Sequence, residues 1–411
     1  MSAERLSSID LFAGAGGLTL GLRWAGFETL AAYDNWSPAI ATLERNFGSA
    51  TVLPDDIREL TAADILAITD GVTPFLVAGG PPCQGFTSAG ARCASDDRNT
   101  LVGEFARMVA ELQPRWFLFE NVEGFLSMSG GSFVVDLLDG VLDAGYKVRL
   151  RKVNVANYGV PQLRKRVIAV GSSGADPGFP GPSHHAFGAP GAETARTASL
   201  PTTPTVSDAL EQLDAPASAV CDEAIQGHVA PHISESDARR FRLLQQGQTM
   251  RDLPLGLQHQ SYARRANRRV ADGISTERRG GAPAGIRRLR ADEPSKAITS
   301  AAPREFIHPL EDRCLTLREC ARLQGFPDSF EFVGNRSEQA TLVGNAIPPT
   351  FGVVLGRWIS ARSSSPSPDT DDSSRLLEFH VGNGTGLSPV MRDVVERISA
   401  RYQIGQVPLW I

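Results

Sequence analysis

The sequence predicts a doubly wound α/β fold accompanied by a smaller, less regular domain. Over the first 170 residues, short apolar runs alternate with segments of helical spacing, the pattern of a parallel sheet covered by helices on both faces. A glycine-rich turn follows the first apolar run, where such folds bind ligands. The 411 residues are 42% hydrophobic and 21% charged, which allows two or three domains and excludes a wholly disordered or fibrous protein.

The elements of the first domain follow from this alternation. Apolar runs predict strands at residues 8–12, 29–33, 75–78, 116–120, 147–154 and 166–171. Helical spacing predicts helices between them, at residues 18–24, 38–46, 101–111 and 133–143. Ligands of such a sheet bind beyond the carboxyl ends of its strands, so the side chains at those ends are the candidate site residues.

The pattern changes after residue 171. Residues 171–204 are rich in Gly, Pro, Ala, Ser and Thr, which predicts a linker or a long surface loop. Residues 231–300 carry 14 basic and 7 acidic residues, so this segment has a net charge of +7 and the rest of the chain carries −12. A basic segment on an acidic body is typical of a DNA-binding insertion. The sequence further predicts short helices and one irregular, arginine-rich stretch, at residues 205–213, 235–246 and 251–302.

The C-terminal part contains two further predicted helices, at residues 316–323 and 349–360, and the second could pack back on the first domain. Residues 361–374 predict disorder by their composition. A last helix is predicted at residues 391–401, and the sequence assigns no role to it.

Cysteine usage and hydropathy indicate the compartment. The five cysteines form no CxxC pair and no cluster with the spacing of a zinc site, so we expect reduced thiols and no metal. No run of 18 apolar residues is present, and the first ten residues lack the apolar core of a signal peptide. We therefore expect a cytoplasmic protein that does not enter a membrane.

The glycine-rich turn, DLFAGAGGL at residues 10–18, is the first candidate site. Glycines at a strand-to-helix turn let the backbone approach a ligand and leave helix N–H groups directed at it. The GxGxxG frame that begins at Gly14 ends on Thr19, so the dinucleotide fingerprint is incomplete. A nucleoside without a pyrophosphate fits this turn better.

Two acidic residues are further candidates: Asp34 directly follows the strand predicted at residues 29–33, and Asp56 lies between that strand and the next. Asp34 is placed to accept hydrogen bonds from ribose hydroxyls, and Asp56 with Ile57 could face an adenine amino group. Helix capping is an equally good interpretation of either acid taken alone.

The sharpest signal is GGPPCQGF at residues 79–86. It follows the strand at residues 75–78, so Cys83 would reach the carboxyl edge of the sheet beside the nucleoside site. Two prolines fix the backbone before the thiol, and the Gly/Ser-rich stretch after it could move as a lid. An ordinary core cysteine is the alternative, which the flanking glycines and prolines disfavour.

Two further motifs lie at strand ends. Glu120 begins the sequence ENV at the tip of the next strand, so a carboxyl and the thiol could face one ligand. In QLRKR, strand alternation would put Gln162, Arg164 and Arg166 on one face and Lys165 on the other. A solvated basic edge is the alternative for these arginines.

Together these blocks resemble the cytosine-C5 DNA methyltransferases, and the resemblance runs in family order from Ile9 to Pro349. DLFAGAGGL resembles the S-adenosylmethionine motif, GGPPCQGF the catalytic Pro-Cys loop, and ENV and QLRKR the motifs that follow. RECARLQGFP at residues 318–327 and GNAIPP at residues 344–349 resemble the two closing motifs. The basic segment falls where the family keeps its variable target-recognition domain.

The resemblance implies a Rossmann-like methyltransferase domain that transfers a methyl group from S-adenosylmethionine to C5 of a flipped-out cytosine in a specific sequence of double-stranded DNA. It implies a monomer that belongs to a restriction-modification or defence system, with a cognate restriction endonuclease as a functional partner. The implied catalytic residues are Cys83, Glu120, Arg164 and Arg166. The implied cofactor-binding residues are Phe12, Gly14, Gly16, Gly17, Leu18, Asp34, Asp56, Ile57, Pro82 and Asn345.

The resemblance also divides the chain. We predict a catalytic α/β domain at residues 1–175, a linker and target-recognition domain at 176–303, and closing motifs with a returning helix at 304–360. Residues 361–411 would be a disordered linker and a C-terminal extension of unknown role.

Two departures from the family pattern concern the cofactor. The ribose-binding acid is usually Glu and is Asp34 here, and Asn35 separates it from the aromatic Trp36. Which ring stacks on the adenine therefore stays open, with Phe12 as the favoured candidate.

The sequence disfavours three other functions. A transfer-RNA methyltransferase of the same family would lack so large an insertion. An inactive DNA-binding protein on this scaffold would not need Cys83, Glu120, Arg164 and Arg166 together. A nicotinamide oxidoreductase is disfavoured by the broken GxGxxG frame.

Overall fold

The computed structural model divides into two compact units, which are described separately. The catalytic-motif unit comprises residues 1–159, 165–202 and 346–411, and the insertion unit comprises residues 160–164 and 203–345. The structure describes residues 5–48, 52–53, 56–82, 101–186, 197–219, 222–260, 262, 285–364, 375–380 and 387–402.

The catalytic-motif unit is built on an eight-stranded sheet with the order β12-β6-β8-β5-β4-β1-β2-β3. Its strands are β1 Ser7–Leu11, β2 Glu28–Tyr33, β3 Val52–Leu53, β4 Leu76–Gly79, β5 Trp116–Val122, β6 Lys147–Asn154, β8 Lys165–Ser172 and β12 Leu376–His380. The six predicted strands all form, with bounds within two residues of the prediction. The predicted all-parallel arrangement is wrong in one place: β8 runs antiparallel to both β5 and β6. The connection from β6 to β8 is too short for a crossover helix, so β8 must run back along β6.

Helices cover both faces of this sheet, as the predicted fold class requires. They are α1 Gly17–Trp24, α2 Ser37–Phe47, α3 Ala62–Ile68, α4 Leu101–Leu112, α5 Ser132–Asp143, α11 Pro349–Ser364 and α12 Pro389–Tyr402. Alternate residues of β1 serve opposite faces: Ile9 and Leu11 pack with the buried residues of α4 and α5, whereas Asp10 contacts Thr19 of α1. On that second face α1 packs closely against α11. The helix predicted at residues 349–360 thus packs on α1.

One apolar helical segment, Glu123–Asp143, is long enough to cross a membrane. Residues 128–130 interrupt it with non-helical backbone angles, so it is not one continuous helix. Its second half, α5, buries Phe133, Val134, Leu137, Leu138, Val141 and Leu142 in the core of the unit. The second half of the segment therefore packs as a core helix.

The C-terminal extension differs from its prediction. Residues 361–364, predicted to be disordered, continue α11, and the hydroxyls of Ser363 and Ser364 donate hydrogen bonds to helix carbonyls one turn earlier. Beyond them, β12 adds a parallel edge strand to β6, which the sequence did not predict. The predicted helix at 391–401 forms as α12 and buries Met391, Val394 and Ile398.

The insertion unit is less regular, as predicted. Its elements are β7 Gln162–Leu163, α6 Val206–Leu210, α7 Glu235–Leu243, β9 Arg287–Arg288, β10 Ser295–Lys296, α8 Ala302–Glu305, β11 Phe306–Ile307, α9 Leu317–Leu323 and α10 Arg336–Asn345. The strands form two parallel pairs, β7 with β10 and β9 with β11. Sequence reasoning missed α10, because its apolar residues do not fall on one stripe.

Buried arginines hold the loops of the insertion unit. Arg288 is 5% exposed and donates to the carbonyls of Leu244, Phe241, His308 and Glu311. Arg318, 1% exposed, likewise donates to three backbone carbonyls. The unit uses guanidinium groups where a larger domain would use secondary structure to satisfy its backbone.

Candidate active site

The glycine-rich turn joins β1 to α1 at the carboxyl edge of the sheet. Phe12, Gly14 and Gly16 all have positive φ angles, of 63°, 57° and 80°. A Cβ on Gly14 would meet no atom of the described residues within 4 Å, whereas one on Gly16 would strike the ring of Phe47 at 2.5 Å. Glycine is therefore needed at position 16 so that the ring of Phe47 can pack against the turn. At Gly14 the backbone is open to a ligand. The predicted residues Gly17 and Leu18 begin α1 and are buried.

Asp34, at the end of β2, is hydrogen-bonded to this turn. Its carboxylate accepts from the backbone N–H of Gly14 at 2.9 Å and from that of Trp36 at 2.9 Å. Burial raises its pKa, and these N–H donors oppose the rise. The structure thus brings the predicted residues Gly14 and Asp34 together.

Both candidate rings for the adenine stand near this edge. Phe12 is half-buried and packs edge-on against Tyr33, with ring centroids 6.5 Å apart. Trp36 is half-buried at the N-terminus of α2. Stacking of Phe12 on an adenine therefore stays a prediction.

Asp56 and Ile57 follow β3, a strand that the sequence did not predict. The carboxylate of Asp56 is paired with the guanidinium of Arg58, which lowers the pKa of Asp56. Ile57 is buried, and its carbonyl accepts a hydrogen bond from Arg107 of α4 at 3.0 Å. The Asp56 carboxylate already has a partner, so its predicted contact with an adenine stays a prediction.

The ends of β4 and β5 lie side by side. Gly79 pairs with Phe119, and the Asn121 side chain donates to the carbonyl of Pro81 at 3.3 Å. A Cβ on Gly80 would lie 2.8 Å from Oε2 of Glu120, so only glycine fits there without a shift. Pro82, which is half-buried, ends this described segment, and Cys83 lies outside the described residues.

Glu120 forms an ion pair with Arg166 across the β5–β8 pair. Nε of Arg166 faces Oε1 of Glu120, and each residue is 9% exposed. Burial lowers the pKa of the Arg166 guanidinium, and the Glu120 charge opposes this. A second bond, from Nη1 of Arg166 to the carbonyl of Lys165 at 2.8 Å, fixes the guanidinium. The carboxyl at the tip of β5 is therefore held in a defined orientation.

Gln162, Arg164 and Arg166 do not share one face of one strand, which corrects the prediction. The chain leaves β7 after Leu163 and enters β8 at Lys165, so Arg164 lies at the change of direction. Arg166 belongs to the catalytic-motif unit, whereas Gln162 and Arg164 belong to the insertion unit. The alternative of a solvated basic edge is also wrong, because both arginines are buried.

Arg164 is bound to backbone carbonyls within the insertion unit. Nη1 donates to Ile298 at 2.6 Å and Nη2 donates to Gly344 at 2.8 Å. Gly344 itself must be glycine, since a Cβ there would lie 2.3 Å from the backbone nitrogen of Ser300. Asn345 follows it as the last, exposed residue of α10.

Comparison with known proteins identifies the family. The C-5 cytosine-specific DNA methylase family matches residues 6–361. The chain belongs to this family.

Curated relatives of this DNA methylase include two Type II methyltransferases. M1.HphI of Haemophilus parahaemolyticus is 32% identical over 358 residues, which cover 86% of each chain. M.AgeI of Thalassovita gelatinovora is 31% identical and covers 87% of this chain and 100% of its own. The chain is therefore a DNA methyltransferase that acts on C5 of cytosine.

Solved structures support the Rossmann-like methyltransferase fold. A putative DNA modification methyltransferase encoded in an Escherichia coli prophage superposes with a TM-score of 0.64 at 24% identity, and covers 88% of this chain and 100% of its own. A variant of Spodoptera frugiperda DNMT2 gives a TM-score of 0.55 at 15% identity, and covers 86% of this chain and 99% of its own. At these identities the likeness establishes the fold only.

Sequence reasoning missed Asp10 of this methylase. Oδ2 of Asp10 accepts a hydrogen bond from the Thr19 hydroxyl at 2.6 Å. The only signal was an acid at an inward position of a buried strand. Among the described residues, no group of three His, Cys, Asp or Glu side chains could hold a metal.

Proposed function

We propose that this methylase transfers the methyl group of S-adenosylmethionine to C5 of a cytosine flipped out of a specific duplex sequence, in a restriction-modification or defence system. The observation that carries the proposal is the buried Glu120–Arg166 pair beside the end of β4, the strand that leads directly to Cys83. The Type II names of its relatives support the biological setting.

The turn after β1 fits the proposed cofactor. Gly14 presents open backbone, the Phe12 ring is partly exposed, and Asp34 fixes the turn by accepting the Gly14 N–H. Phe12, Gly14 and Asp34 would hold the nucleoside, with Asp56, Ile57, Pro82 and Asn345 as further proposed contacts. S-adenosylmethionine supplies a methyl group that is activated by a positively charged sulfonium.

Cytosine C5 is too weak a nucleophile to take a methyl group directly, so a second nucleophile must first add to the ring. Cys83 is proposed for this role. Its thiolate would form a bond to C6 of the base, which makes C5 electron-rich enough to accept the methyl group. Loss of the C5 proton and expulsion of the Cys83 thiolate then restore the aromatic ring. The two prolines before Cys83 would restrict the backbone that connects β4 to this residue.

Glu120 would act on the opposite side of the ring. Attack at C6 places negative charge on the base, and a proton held by Glu120 at N3 disperses it. The Arg166 guanidinium fixes the carboxyl of Glu120 and supplies positive charge beside the base. Arg164 is proposed to act through its bonds to Ile298 and Gly344, which position the chain segment that leads to Arg166.

DNA recognition is assigned to the insertion unit. Its basic side chains would contact phosphates, and Arg, Gln or Asn between residues 245 and 290 would read base edges. Flipping costs a few kcal/mol, so groups must fill the gap in the stack. Gln84 and Ser88, outside the described residues, are the proposed filling groups. We further propose that the enzyme acts as a cytoplasmic monomer and that a restriction endonuclease is its functional partner.

The test is expression in cells that lack cytosine methylation, followed by base-resolution mapping of 5-methylcytosine in their DNA. Methylation confined to one short motif is expected. Cys83→Ser should abolish it, and Glu120→Gln should reduce the rate by about 100-fold, with binding of DNA retained in both.

Glu123→Gln is the matched control for Glu120, because Glu123 follows three residues later, just after β5, and its carboxylate is paired with Lys152 and Lys165. Unmethylated DNA in the presence of folded parent enzyme would refute the proposed substrate. Full activity of Cys83→Ser would refute the mechanism.

A further inference from the structure

Asp10 is a buried carboxyl at the cofactor edge that the mechanism above does not use. It lies in β1, opposite Ala32 and Ala78 of the neighbouring strands, and is 2% exposed. Its carboxyl is hydrogen-bonded to the side chain of Thr19 of α1, which is itself 1% exposed. Both the hydroxyl and the backbone N–H of Thr19 donate to the Asp10 carboxyl.

These bonds replace a missing helix cap. The residue that precedes α1 is Gly16, which has no side chain to accept from the first N–H groups of the helix. The carboxyl of Asp10 accepts the N–H of Thr19, the third residue of α1, from across the chain. The segment from Phe12 to Gly16 is thereby anchored on both sides, at Asp10 before it and at Thr19 after it.

Ionisation of the Asp10 carboxyl costs free energy, because this group is buried. Burial raises the pKa of Asp10 to about 7, and the negative charges of Asp34 and Glu120 add to the rise, while the bonds from Thr19 oppose it. The other charges are themselves engaged: Asp34 accepts from the turn, and Glu120 is paired with Arg166. Near neutral pH, Asp10 therefore exists in both forms, and the ionised form is the better acceptor.

We propose that Asp10 is a positioning residue for the cofactor: its ionised carboxylate caps α1 from the neighbouring strand and holds the glycine-rich turn in the shape that receives S-adenosylmethionine. The inference rests on the proposed function. It assigns to Asp10 no contact with the cofactor and no part in the methyl transfer itself.

The test measures the dissociation constants of S-adenosylmethionine and of its neutral product, S-adenosylhomocysteine, by calorimetry on the full chain at pH 6 and pH 8. The variants are Asp10→Asn, Thr19→Val and the control Ser8→Ala, which alters another buried polar residue of β1. At pH 8, Asp10→Asn should weaken both ligands by about tenfold, the size of a lost cap. Thr19→Val should weaken both in the same direction, and Ser8→Ala should change neither.

The dependence on pH separates positioning from general damage to the fold. At pH 6 the parent carries mostly neutral Asp10, so the ratio of the variant's dissociation constant to the parent's should approach one. A ratio that is the same at both pH values would overturn the proposal, as would a loss confined to the positively charged ligand. A parent that binds neither ligand would instead refute the proposed cofactor, and this inference with it.

Discussion

The contact between α1 and α11 gives the sharpest prediction about stability. A Cβ on Gly21 would lie 2.4 Å from the carbonyl oxygen of Pro349 and 2.7 Å from Cα of Gly352. Both atoms are backbone, so neither can rotate away, and ordinary contact at 3.4 Å requires a shift of about 1 Å between two packed helices. Such overpacking costs about 1–3 kcal/mol, and a clash with backbone belongs at the upper end.

Gly21→Ala should therefore lower the free energy of unfolding by about 3 kcal/mol. Helix propensity alone predicts the opposite sign, a gain of ~1 kcal/mol, so the sign of the change decides between packing and propensity. Gly103→Ala is the matched control: Gly103 also lies in a helix, α4, but a Cβ there would meet no described atom within 4 Å. It should raise the unfolding free energy by ~0.5–1 kcal/mol. Differential scanning calorimetry measures both, and a Gly21→Ala variant as stable as the parent would refute the reasoning.

Three other substitutions test packing within one or the other unit. Glu378→Gln removes the buried charge that pairs with Arg149, and should weaken the docking of β12 by about 3 kcal/mol, seen as faster hydrogen exchange in residues 376–380. Val394→Ala should cost about 2 kcal/mol, measured by urea unfolding, because the side chain fills the space beside Gly131. Arg288→Met should destabilise the insertion unit and abolish DNA binding, while calorimetry still detects cofactor binding; unchanged DNA binding would contradict the role of Arg288 in holding that unit.

The sequence predicted much of the catalytic-motif unit, because its signals are local. A buried strand is an apolar run and a surface helix has a 3.6-residue period, so the six strands and the helix at residues 133–143 could be placed within two residues. The two-residue strand β3 and the seven-residue helix α3 are too short for such a signal. The strand β12 reads as a short apolar run after a polar linker, and only the free edge of β6 explains why it is a strand.

The candidate site was predicted as a set of residues and not as a set of contacts. The order of motifs pointed to Glu120 and Arg166, but their ion pair depends on β8 running antiparallel beside β5. The expectation that Arg164 shares a face with Arg166 was wrong, since strand alternation does not extend across a change of direction.

The sequence by itself thus determined the family, the fold class and the residues at the strand ends, since each depends on residue types within a short stretch of chain. Tertiary structure alone decided which of these residues meet. The cap that Asp10 provides to α1 and the glycine contact between α1 and α11 join positions that only packing brings together. Contacts of this kind depend on strand order and on the distance between packed helices, which no local pattern encodes.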